Sequence, residues 1–255
     1  MKTMVFLNVE GRRHFVGLLS SDARKIAFEY ADAFLQTGLQ ISPIAVPLGR
    51  GVRMMDREPF NGLPGFAADS LPDGWGNLLL SRQLKSKGRR LEEIDPLQRL
   101  CWVGSQGMGA MEYEPEEAFS EEFQVNDIRL DVLADTAGDI LADIESGSEI
   151  DSLMTLNGSS GGARPKIVCL VTSDHKQLRQ GTMIEDGANP WIIKFRSSAD
   201  AADSGAMEYA VSLLAKSVGI DMPETHLFPS KRCPGWFGIR RFDRNEKGKL
   251  HMATA

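Results

Sequence analysis

Leu156-Asn157-Gly158-Ser159-Ser160-Gly161-Gly162-Ala163-Arg164-Pro165-Lys166, with the apolar run Ile167-Val168-Cys169-Leu170-Val171 directly behind it, is the stretch that organises this chain. Glycine has no Cβ and takes positive φ without strain, so backbone N–H groups around Gly158, Gly161 and Gly162 can converge on an anion. Ser159, Ser160, Arg164 and Lys166 add hydroxyl donors and positive charge. That combination suits a phosphate. The two widespread glycine fingerprints do not fit: the spacing from Gly161 to Lys166 fails G-x-x-x-x-G-K-[ST], and G-x-G-x-x-G is absent. A plain Gly/Ser turn ahead of a strand is the competing reading of these residues alone.

Toward the C-terminus, Ile167–Thr172 reads as a strand and Trp191-Ile192-Ile193-Lys194-Phe195 as a second apolar strand with one embedded lysine. Gly205 to Lys216 has helical character, with Glu208 in its first half. A glycine loop, a strand, a lysine-bearing strand and a glutamate-bearing helix, in that order, is the plan of a protein-kinase N-lobe. Burying an unpaired ammonium costs on the order of several kcal/mol, so Lys194 calls for a phosphate or a carboxylate partner, and Glu208 is the candidate carboxylate. The competing reading leaves the Lys194 amine in water at a strand edge and Glu208 on a solvated helix face.

Four segments, Ser159 to Lys166, Trp191 to Phe195, Met207-Glu208-Tyr209-Ala210 and Arg241-Phe242-Asp243-Arg244, resemble the HipA-type serine/threonine protein kinases, the toxin half of bacterial toxin–antitoxin pairs. Upstream, Phe60-Asn61-Gly62-Leu63-Pro64-Gly65-Phe66 and Asp69-Ser70-Leu71-Pro72-Asp73-Gly74-Trp75-Gly76 are similar to that family's N-terminal subdomain. The resemblance spans nearly the whole chain. It implies an α+β fold: a β-rich subdomain with helices over 1–115, a linking helical region over 116–149, and an N-lobe-like antiparallel sheet with a helix over 150–255.

For the site, the resemblance implies ATP held with Mg²⁺ by Gly161, Gly162, Ala163, Arg164, Pro165 and Lys166 over the phosphates. Lys194 would grip the α/β-phosphates with Glu208 as its ion-pair partner. Main-chain groups of Arg240, Arg241 and Phe242 would hold the adenine edge, with Phe242 bordering the ring. Asp243 and Arg244 would form a local ion pair that fixes this hinge. Ser159 stands where the family carries a serine whose phosphorylation adds about two negative charges, repels the nucleotide and shuts the enzyme off. The implied partners are a HipB-like antitoxin, which would bring any DNA contact, and a protein substrate of the translation machinery, an aminoacyl-tRNA synthetase being one candidate.

One departure stands out. No catalytic loop with its Asp and Asn, and no second metal-binding Asp, is recognisable in these residues. Asp200 and Asp203 lie on the turn before the Glu208 helix, and His226 and His251 have no carboxylate at a recognisable spacing. The chain therefore reads as the front part of a kinase, truncated before the catalytic loop and inactive alone, with weak or undetectable nucleotide affinity. The alternative is a non-catalytic module that binds an antitoxin or another protein.

Composition agrees with a folded, water-soluble chain of one large or two modest domains: 255 residues, 42% hydrophobic and 25% charged. A net charge of -6 argues against a broad nucleic-acid surface. Cys101, Cys169 and Cys233 are odd in number and widely spaced, which suits reduced thiols in the cytoplasm. No signal peptide or membrane span is read from the sequence.

Met4–Val9 and His14–Leu19, joined by Gly11-Arg12-Arg13, read as an opening hairpin, with further strands at Ala27–Tyr30 and Ile44–Leu48. Residues 53–75 should run irregularly, with Phe60, Phe66 and Trp75 in the core. Asp73 is the expected cap of a helix from Gly74, and Asp95-Pro96 opens another carrying Leu97, Leu100 and Cys101 on one face. Glu112, Glu114, Glu116, Glu117, Glu121 and Glu122 read as a solvated acidic run. The apolar stripe Ile128, Val132, Leu133, Ile140, Leu141 and Ile144 predicts a helix over 127–145, with Asp127 as its cap.

Overall fold

A computed structural model describes residues 1–22, 25–72, 74–117, 125, 127–144, 150–157 and 162–253. In chain order its elements are β1 (Lys2–Val9), β2 (Arg12–Asp22), β3 (Lys25–Tyr30), α1 (Asp32–Leu35), β4 (Arg53–Met54), α2 (Gly65–Ala68), α3 (Gly74–Ser86), α4 (Pro96–Val103) and β5 (Met111–Glu114). There follow α5 (Leu130–Leu141), α6 (Ile150–Leu156), β6 (Lys166–Val171), β7 (Leu178–Arg179), β8 (Asn189–Lys194), α7 (Ser204–Ser217), β9 (Thr225–Phe228), β10 (Trp236–Arg240), β11 (Arg244–Asn245) and β12 (Gly248–Lys249). The fold is α+β. Contacts gather into two compact units, the first made of Met1–Leu71, Gly88–Glu121 and Asp243–Ala255, the second of Pro72–Lys87 and Glu122–Phe242.

In the first unit an antiparallel sheet runs in the order β4-β3-β2-β1-β5. β1 alternates in burial, so Val5 and Leu7 enter a core with Val16, Leu19, Phe28 and Phe66. α4 starts as its sequence predicts: Asp95 Oδ1 accepts from Leu97 N at 2.8 Å, and Pro96 takes the first helical position. Leu97, Leu100 and Cys101 are buried beneath it.

Three expectations fail here. Ile44–Leu48 is a loop, not a strand; Ile44 is 95% exposed, while Val46 turns inward and donates its N–H to Ser42 O. Phe60 is 47% exposed and outside the core. Glu112, expected in a solvated run, is buried in β5 because its carboxylate accepts from Asn8 Nδ2, Arg13 Nε and Lys249 Nζ at 2.7–2.8 Å. Burial pushes this carboxyl up, but the hydrogen bonds from Lys249 and Asn8 and the neighbouring charge outweigh it, and the net shift is downward. Asp243 and Arg244 do pair, at 2.7 Å, but as a fully buried pair whose guanidinium also donates to the carbonyls of Gly107 and Gly109.

The second unit holds an antiparallel sheet in the order β7-β6-β8-β10-β9. β6 is buried along its whole length, and Ile167, Cys169, Trp191, Ile193, Phe228 and Trp236 pack with Trp75 and Leu79 of α3 and Leu133 and Ile140 of α5. α5 begins at Leu130, later than expected: Asp127 lies 3.6 Å from Arg129 instead of capping, and Ile144 falls beyond the helix at 53% exposure. Asp131 in its first turn accepts from Ser230 Oγ, Lys231 N and Trp236 Nε1, tying α5 to the β9–β10 connection. The expected cap Asp73 lies outside the described residues. Among the described residues no helix is long and apolar enough to cross a membrane.

Candidate functional site

The β6–β8–β10 register fixes the first geometry. Lys166 lies opposite Lys194, and Lys194 opposite Phe237, so the three side chains stand in one row on one face of the sheet. Like charges directly opposite repel, and each ammonium is turned to its own acceptor. Lys166, 3% exposed, donates Nζ to Gly162 O at 2.7 Å. Lys194 Nζ pairs with Glu208 Oε1 and sits 5.4 Å from the centre of the Phe237 ring.

Glu208 arrives there because α7 lies close on the sheet. A Cβ on Gly205 would stand 2.5 Å from Gly235 O and 3.2 Å from Phe237 N, so only glycine lets the first turn of α7 approach so near. Glu208 is one turn further along the same helical face. The pair is half-exposed, with side-chain exposures of 34% for Lys194 and 40% for Glu208, so it faces a cleft instead of the core.

That cleft is open to solvent, spans about 360 Å³ counting its open mouth, and is lined by Arg164, Lys194, Arg196, Asp200, Glu208 and Trp236 among others. Arg164 Nη2 meets Asp200 Oδ1 at 2.7 Å, and Asp200 also accepts from Ser197 N and Oγ. The Ser197 N–H, against some desolvation, and the charges of Arg164 and Arg196 hold the Asp200 carboxyl below its ordinary range. Three cationic groups around an open cleft, with carboxylates orienting two of them, are suited to a polyanion carrying several phosphates. Among the described residues no group of three or more His, Cys, Asp or Glu side chains is arranged to hold a metal.

Of the residues singled out in the sequence, Gly162, Ala163 and Arg164 are exposed, Arg164 lining the cleft, while Pro165 and Lys166 are buried. Gly161 and Ser159 lie outside the described residues, as do Gly158 and Ser160. Arg240 N donates to Glu224 O and Arg241 N to Pro190 O, so these two N–H groups serve the sheet. The Arg241 side chain is buried, and Phe242 is 59% exposed. Sequence reasoning missed Arg196 and the part played by Asp200, whose signal is a carboxylate three residues after a serine in the strand-to-helix connection. It also missed how Gly74, Trp75 and Gly76 meet the loop.

Two family models match the chain, a HipA N-terminal domain over residues 7–114 and a HipA-like C-terminal domain over residues 158–255; their bounds cross the two compact units at residues 72–87 and 243–255. No curated protein and no solved structure gives a significant match.

Proposed function

Since the chain belongs to the HipA family, as its two domain matches establish, we propose that its second unit holds the triphosphate of ATP, as the ATP-binding part of a serine/threonine kinase toxin. The observation that carries this reading is the Lys194–Glu208 pair, an ammonium oriented by a helix carboxylate toward a cleft flanked by Arg164 and Arg196. Lys194 would bind the α/β-phosphates, with Glu208 fixing the direction of its amine. Arg164, braced by Asp200, and the backbone N–H groups of Gly162 and Ala163 would line the phosphate path. With the Arg240 and Arg241 N–H groups engaged by Glu224 and Pro190, the adenine edge would be held by other main-chain groups of Arg240 to Phe242, with the exposed Phe242 ring beside it.

Bound ATP supplies the phosphoryl group, and Mg²⁺ its counter-charge. The cleft's own carboxylates are engaged, Glu208 by Lys194 and Asp200 by Arg164 and Ser197. These 255 residues are therefore proposed to bind nucleotide weakly, on the order of 1 mM, without transferring phosphate by themselves. In the same reading Ser159 is the regulatory phosphorylation site, a HipB-like antitoxin holds the protein in check, and a cytoplasmic protein of the translation machinery is the substrate.

The test is a titration with MgATP followed by the fluorescence of Trp236, which borders the cleft. Saturable quenching, lost in Lys194→Met with an unchanged melting temperature, supports the proposal. A wild-type protein that gives no response at ten times the expected constant leaves the non-catalytic interaction module as the better reading.

A further inference from the structure

We propose that Gly74-Trp75-Gly76, at the start of α3, is a clamp that sets the loop segment Gly162 to Lys166, with Trp75 as a positioning residue for the phosphates; the phosphate part of this statement rests on the function proposed above. Three consecutive residues meet Asn157 and the segment Gly162 to Lys166. Trp75 N donates to Gly162 O at 3.3 Å, and Trp75 Nε1 donates to Lys166 O at 3.1 Å. The first N–H groups of a helix have no partner within it, and here a loop carbonyl takes the place of a side-chain cap. The indole is 1% exposed, so its N–H must find an acceptor inside the protein.

The flanking glycines provide room. A Cβ on Gly74 would stand 2.7 Å from Ala163 Cα and 2.9 Å from Ala163 Cβ. One on Gly76 would stand 2.6 Å from Pro72 Cβ and 2.9 Å from Nδ2 of Asn157, the residue that leads into the loop. Glycine is among the poorest helix formers, so two of them in one first turn weaken α3 at its own start. What they allow is close approach of the loop.

Gly162 lies at φ +108°, a region that residues with a Cβ rarely enter. Its carbonyl accepts from both Trp75 N and Lys166 Nζ. A trans peptide directs its C=O and N–H oppositely, so this arrangement turns the Ala163 N–H away from those two donors. Lys166 thus acts from beneath the loop, as the inner half of the same clamp.

Gly74→Ala and Trp75→Phe test this in the full chain. The first adds only the methyl that would displace Ala163, and the second removes the indole N–H while keeping a ring in the core. Hydrogen exchange of the 162–166 amides, the melting temperature, and titrations with MgATP and with adenosine are measured for each. The expected result is a melting temperature about 4–8 °C below wild type and loop exchange about tenfold faster. MgATP affinity should fall about tenfold while adenosine affinity stays unchanged. Wild-type exchange in both variants, or faster exchange with undiminished MgATP affinity, overturns the clamp. A fall in melting temperature beyond about 10 °C in both also overturns it, because Trp75 then acts only as core. If the wild-type protein itself does not respond to MgATP, the nucleotide function has failed, and the clamp's role toward phosphates fails with it.

Discussion

Replacing Glu112 by glutamine removes one buried charge and leaves the shape of β5 almost unchanged. Glu112 is 4% exposed, and its carboxylate receives Lys249 Nζ at 2.8 Å, Arg13 Nε at 2.7 Å and Asn8 Nδ2 at 2.8 Å. Lys249 is itself 4% exposed; it keeps the Ser105 carbonyl but loses its counter-charge. Breaking a buried pair in this way costs about 3–5 kcal/mol. Arg13 is 38% exposed and rehydrates, so its share is at most about 1 kcal/mol. At about 4 °C per kcal/mol, the transition of the first unit should fall by about 12–20 °C in scanning calorimetry.

The double variant Glu112→Gln/Lys249→Met removes both charges, and it should be more stable than Glu112→Gln alone by about 1–2 kcal/mol. The pH arm has a definite sign. The folded-state pKa of Glu112 lies below its ordinary 4.5, so its contribution is present above 4.5 and is lost as pH falls through the depressed value. Glu112→Gln should flatten the acid limb of the stability curve there. A loss under about 1 kcal/mol for the single variant, or simple additivity in the double, refutes the buried-network account.

Asp131→Ala strips the acceptor from Ser230 Oγ, Lys231 N and Trp236 Nε1 and should cost about 2–4 kcal/mol in urea unfolding of the second unit. Gly238→Ala puts a methyl 2.4 Å from the Phe228 ring in a buried strand and should cost about 1–3 kcal/mol by the same measurement. Burial pushes the Cys169 thiol up to about 12, and Cys101 is also buried. Iodoacetamide followed by peptide mass mapping should therefore label Cys233 first and the other two only after denaturation.

Local signals carried the reading where the local environment decides the structure. The opening hairpin was legible because alternation and a Gly11 turn act over a few residues, and α4 because Asp95-Pro96 is a complete start signal. The start of α5 was not legible. Asp127 and Asp131 are equally plausible near a helix start, and contacts 99 and 105 residues away at Ser230 and Trp236 engage Asp131. The burial of Glu112 was hidden for the same reason, since its counter-charge Lys249 lies 137 residues downstream. At the candidate site, Lys194 and Glu208 stand out as an embedded lysine and a helical glutamate only 14 residues apart. Trp75 was absorbed into a core reading because its acceptor on Lys166 is 91 residues away; only the two glycines beside it hinted at a close neighbour.

The central claim is that the Lys194 ammonium, held by Glu208, faces an anionic ligand in the cleft. The charge-exchanged variant Lys194→Glu/Glu208→Lys keeps opposite charges facing across the half-exposed pair while moving the cation from strand to helix. Its MgATP titration beside wild type is the most direct measurement. The account predicts a protein that melts within about 3 °C of wild type and shows no saturable MgATP response. An exchanged variant that binds MgATP as well as the wild-type chain would contradict it.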